Sequence, residues 1–80
     1  MDETETYAAL TDVFRDVFED DDLHLNADMT ADDVEDWDSL SHMRLILSVE
    51  KAFGIHFSTV EVGSLNTVGD LVRLIRSKQS

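Results

Sequence analysis

From Leu40 to Phe53 the chain sets Leu40, Met43, Ile46, Leu47 and Phe53 at helical spacing, with Leu45 and Val49 on flanking faces. A helix built from this run is apolar over more than half its circumference. Such a helix has to be surrounded, so the run predicts a central helix with neighbours on several sides. Gly54 supplies its C-terminal stop. Its start is Asp38-Ser39, and two roles are open there. Asp and Ser before an apolar run are ordinary caps. A serine in the first turn also stands among free backbone N–H groups and the positive end of the helix dipole, where a covalently attached phosphate would be favoured.

The other elements arrange themselves around that helix. Over residues 3–18, Tyr7, Leu10, Phe14, Val17 and Phe18 draw one helical stripe, with Asp2, Glu3 and Glu5 suited to its positive end. Residues 19–37 hold nine acids, a density of like charge that opposes a regular helix. Leu23, Leu25, Met29 and Val34 are spaced as anchors pinning this long loop to a core, and Thr30-Ala31-Asp32-Asp33 suits a short helical turn. Ser58 and Glu61 match a capping box, with Gly63 close behind, so the third helix is short. Thr67 and Asp70 repeat the device before Val68, Leu71, Val72 and Ile75, and Arg73, Arg76 and Lys78 complement the negative end of that last helix. No segment alternates as a strand would. The expectation is an all-α, small four-helix bundle of three main helices plus one short helix, with a long loop between helices 1 and 2, forming a single domain over residues 1–80.

Charge is segregated. Residues 1–38 carry fifteen acids against Arg15 alone, whereas residues 39–80 carry three acids against five bases, within a net charge of −12. Such a surface repels nucleic acid and anionic membrane and attracts basic patches on partner proteins. There is no cysteine, which excludes disulfides and thiolate metal sites. The acidic start Met1-Asp2-Glu3-Thr4-Glu5 lacks the layout of a secretory signal, and no apolar run is long enough to span a bilayer. A cytoplasmic, monomeric protein without membrane insertion is expected.

Catalytic constellations are hard to assemble. His24, His42 and His56 are scattered, with no metal-ligand spacing between them. Ser39 and His42 share one helical turn, but no third group orients them. Asp20, Asp22, His24, Asn26 and Asp28 alternate like a calcium loop that then fails at Leu25, where glycine is needed, and at Ala31, where a glutamate should close the site. No metal site is expected.

Asp38-Ser39-Leu40 at the head of an amphipathic helix, with Glu50 and Phe53-Gly54 further along, resembles the acyl carrier proteins and related thiolation domains. The likeness spans most of the chain. It implies that Ser39 carries 4′-phosphopantetheine, whose thiol bears acyl or aminoacyl groups as thioesters. It further implies a carrier rather than an enzyme, served by a phosphopantetheinyl transferase and by acyl-loading and acyl-processing enzymes. Carried over by position, Asp38, Leu40, Met43, Leu47 and Glu50 surround the arm on the surface partners read. Leu45, Val49, Phe57, Val62 and Leu65 match positions that shelter an attached chain, although each also has a core-packing role available.

Three departures qualify the likeness. Arg44 and Lys51 stand where fatty-acid carriers usually have acids, so a basic partner surface would lose attraction on this helix, which suggests dedicated enzymes. Asp36 and Trp37 stand where many carriers have glycine, and Trp37 either packs beside the helix start or meets partners. The carrier reading covers fatty-acid-like or specialised metabolism. The alternative is an acidic helical adaptor for a basic protein.

Overall fold

A computed structural model of the chain describes residues 2–34 and 37–79. Helix α1 spans Glu3–Phe18, α2 Ser39–Phe53, α3 Thr59–Gly63 and α4 Val68–Gln79, and a single 3₁₀ turn, Ala31–Asp33, interrupts the long first connection. There is no strand among the described residues, and the all-α architecture with one short helix is the one expected.

Each boundary has a local cause. The Asp2 carboxylate accepts from the Glu5 N–H at 2.8 Å, and Thr6, wholly buried, returns its hydroxyl to the Asp2 carbonyl at 2.9 Å. Helix α2 opens with the Asp38 carboxylate accepting from the Ser41 N–H at 2.9 Å and closes at Gly54, whose φ of 66° is the left-handed geometry that glycine adopts without a Cβ penalty. The box predicted at Ser58 and Glu61 forms in both directions, and Thr67 and Asp70 exchange equivalent bonds at the head of α4.

The core holds Leu10 and Phe14 from α1, Leu45, Ile46 and Val49 from α2, and Val68, Leu71, Val72 and Ile75 from α4, with Met29, Val34 and Ile55 closing it from the connections. One expectation is corrected here. Leu45 and Val49, placed on flanking faces, form the buried face of α2 together with Ile46 of the expected stripe, while Leu40, Met43 and Leu47 point outward. The run carries apolar side chains on two opposed sides, and spacing alone does not say which side meets the core. The backbone of α1 approaches both α2 and α4 closely, and the buried face of α2 shares one core with α1, α4 and the connections.

The acidic connection is tied down near its start and in its middle. Arg15 Nε donates to the Leu23 carbonyl at 2.9 Å. In the middle the first amides of α4, which have no partner within their own helix, donate outward: Val68 N–H to the Met29 carbonyl at 2.8 Å and Gly69 N–H to the Ala27 carbonyl at 3.0 Å. The Asp20 and Asn26 side chains accept from the N–H groups two residues on, making turns of the residues that alternate like a calcium loop. Among the described residues no group of three or more His, Asp or Glu is placed to hold a metal ion, and no helix is long and apolar enough to cross a membrane. Of the bases expected at the α4 terminus, Arg76 and Lys78 lie in the last turn and Arg73 lies before it; Arg73 pairs with Asp70, Arg76 reaches Glu3 at 3.8 Å, and Lys78 reaches Glu61 at 2.9 Å.

Candidate functional site

Ser39 is the first residue of α2 and is exposed. Beside it lies a cleft of about 520 Å³ lined by Trp37, Asp38, Ser39, His42 and Met43 on one side and by Ala31, Leu65, Asn66, Thr67 and Leu71 on the other. The long loop, the start of α2 and the α3–α4 connection meet at this point, so residues far apart in sequence surround one hydroxyl.

Asp38 is held in its ionised form. The Ser41 backbone N–H, with smaller help from the Ser41 hydroxyl and the Leu40 N–H, holds its carboxyl below the usual aspartate range. Asp38 therefore serves the cap, and the positive end of the helix remains the local attraction for an anion on Ser39.

Trp37 and His42 define the inner wall. The indole Nε1–H donates to His42 Nδ1 at 3.1 Å, and the two rings stack at 20° with centroids 6.0 Å apart. The indole also meets Phe14 edge-on at 5.3 Å and Phe18 at 6.0 Å. Of the two roles open for Trp37, packing at the head of α2 is thus realised, with part of the ring left to line the cleft. Because His42 Nδ1 is an acceptor, the imidazole is neutral there, and burial pushes its pKa below the ordinary value. That same nitrogen is unavailable as a base toward Ser39. Asp36, which stands where many carriers have glycine, lies outside the described residues.

The remaining expected residues separate into three groups. Leu40, Met43, Arg44 and Leu47 are exposed along α2. Glu50 is half-buried and structural: its carboxylate accepts from the Phe57 N–H at 2.8 Å and stands 3.7 Å from His56 Nδ1. Of the chain-sheltering set only Leu65 lines the cleft. Leu45 and Val49 are wholly buried, and Phe57 and Val62 lie half-buried against the core. Sequence reasoning missed Asn66, Thr67 and Leu71 as cleft residues, since nothing in the capping pattern at Thr67 signals that this connection folds back onto Ser39.

The residues present fit a slender arm attached at this serine, with an exposed hydroxyl at a helix start and an adjoining cleft that mixes Trp37, Met43, Leu65 and Leu71 with Asn66 and Thr67. Residues 8–75 match the family model described as the phosphopantetheine attachment site. The chain belongs to this family. Its prosthetic group is 4′-phosphopantetheine. The fold is similar to the solution structure of a holo acyl carrier protein from Geobacter metallireducens, with a TM-score of 0.88 and 46% identity over 92% of this chain and 85% of that one. The chain is also 42% identical over 45 residues to an acyl carrier protein of Renibacterium salmoninarum, and 40% identical over 45 residues to one of an Arthrobacter species. Each match spans 56% of this chain, which covers about half the length of those curated relatives, 56%. Family membership accounts for the Asp-Ser cap and the cleft together, and the acidic-adaptor alternative is not favoured.

Proposed function

We propose that this protein is an acyl carrier, a single domain that tethers acyl or aminoacyl intermediates on a 4′-phosphopantetheine arm attached to Ser39 and presents them to partner enzymes in the cytoplasm. When bound, the arm supplies a terminal thiol that carries the cargo as a thioester. The chain's own residues present rather than catalyse. The α2 N-terminus favours the phosphodiester, Asp38 keeps the first turn closed, and Trp37, Leu65 and Leu71 offer apolar surface beside the arm.

The observation that carries this reading is the exposed Ser39 hydroxyl at the head of α2, opening onto a cleft, in a chain of the phosphopantetheine-attachment family. The partners on this reading are a phosphopantetheinyl transferase and the enzymes that load and process the cargo, in fatty-acid-like or specialised metabolism. The test is incubation with coenzyme A and a broad-specificity phosphopantetheinyl transferase, followed by intact mass measurement. The expected result is a gain of one phosphopantetheine, lost in Ser39→Ala. No gain, or a gain that survives Ser39→Ala, overturns the assignment.

A further inference from the structure

The chain has six basic residues in a molecule of net charge −12. Four of them are used internally: Arg15 donates to the Leu23 carbonyl, and Arg73, Arg76 and Lys78 pair with Asp70, Glu3 and Glu61. The other two, Arg44 and Lys51, are exposed on α2 and make no ion pair among the described residues, although eighteen acids are available in the chain. Lys51 stands over the groove between α1 and α2, with Asp12 and Asp16 on its opposite wall.

These two cations share a face with the apolar side chains that the core does not use. Leu40 is 72% exposed, Met43 54% and Leu47 61%. At 100° per residue, Leu40, Arg44, Leu47 and Lys51 fall within about 60° of one another around α2, with Met43 at the edge, opposite Leu45 and Val49. A contiguous apolar strip of this size on a small soluble chain marks an interaction surface. Its first residue is adjacent to Ser39, so whatever covers the strip sits within reach of a group attached there.

We infer that this face docks a protein partner that presents an apolar groove with carboxylates placed opposite Arg44 and Lys51. The occupant is argued from charge. A basic groove would bring like charge against the two cations at the centre of the contact, where repulsion costs most, whereas carboxylates there would be paired. A second copy of this chain would set Arg44 and Lys51 against each other if the two faces met, and its acid-lined groove at Asp12, Arg15, Asp16, Glu19 and Asp21 offers no apolar side chain to Leu40, Met43 and Leu47. The acidic half of the chain, residues 1–38, then keeps basic proteins occupied elsewhere and repels the acidic partner from every approach except this one.

The inference rests on the carrier reading for why the face adjoins Ser39, and its test is independent of loading. The probes are two amphipathic helical peptides with the same leucine face, one flanked by glutamates and the other by lysines, titrated into the ¹⁵N-labelled chain. The glutamate peptide is expected to shift the amides of Leu40, Met43, Arg44, Leu47 and Lys51. Its affinity should fall about five- to tenfold in the Arg44→Glu, Lys51→Glu double variant, and fall as salt is raised. Leu47→Ala should weaken it too, and both variants keep the helical circular dichroism of the parent because these side chains lie outside the core. The lysine peptide is expected to shift residues 19–34 instead. Absence of α2 shifts with the glutamate peptide, or tighter binding of the lysine peptide to α2, overturns the inference. The mass gain at Ser39 reports separately on the carrier reading.

Discussion

The indole of Trp37 is bonded to the unprotonated Nδ1 of His42 at 3.1 Å, three residues along α2 from Ser39. Protonation of His42 removes that acceptor. Its folded pKa lies below the unfolded value of 6.5 because the ring is desolvated, so the unfolded state binds the proton more readily and stability rises with pH. The contribution is complete above about pH 6.5 and is lost as pH falls through the lowered folded value. Thermal melts from about pH 8 down to about pH 5 should therefore show a steeper loss in the parent than in His42→Phe, with Trp37 fluorescence changing over the same window. Equal slopes would refute the coupling.

Gly69 has no room for a side chain. A Cβ there would stand 2.9 Å from the Ala27 carbonyl oxygen, the same atom that its N–H meets at 3.0 Å. Gly69→Ala gains about 0.5–1 kcal/mol of helix preference but meets backbone that must shift, at a cost of about 1–3 kcal/mol. Urea unfolding should show net destabilisation, and chemical shifts should move in residues 26–29 as well as in α4.

Phe14 and Leu47 separate folding from recognition. Phe14 is wholly buried against Phe18 and Trp37, and Phe14→Ala should cost about 3–5 kcal/mol, a large share of what so small a domain possesses. Leu47→Ala should stay within about 0.5 kcal/mol of the parent, as expected for a surface position. Denaturant midpoints check both.

Loading should be visible at Asp38. Its carboxyl is held low chiefly by the Ser41 N–H, and a phosphodiester anion on the next residue disfavours the ionised form. Carboxyl carbon titration by NMR should give a higher Asp38 pKa in the holo than in the apo chain. An unchanged value would place the phosphate away from the carboxylate.

The helices and their ends were legible in the sequence because capping is local chemistry. Asp38 with Ser41, Ser58 with Glu61, and Thr67 with Asp70 each announce a helix start within four residues, and Gly54 announces a stop. For the same reason Ser39 was legible as the head of α2, whereas its role as an attachment point came from the resemblance. The orientation of α2 was not, since both of its sides are apolar and only the position of α1 decides that Leu45 and Val49 go inward. The cleft was also hidden, because Asn66, Thr67 and Leu71 reach Ser39 through the third dimension. Trp37 became readable only when His42, Phe14 and Phe18 were seen around it.

The bonds from Val68 and Gly69 to the carbonyls of Met29 and Ala27 have a kinetic consequence. Those two amides have no acceptor within α4, so their hydrogen exchange reports the separation of residues 27–29 from the start of that helix. The wall of the cleft at Thr67 and the wall at Ala31 are therefore joined through the same pair of bonds. Lifting residues 27–29 away from the last helix therefore exposes the Val68 and Gly69 amides, and the exchange rates at those two positions read it.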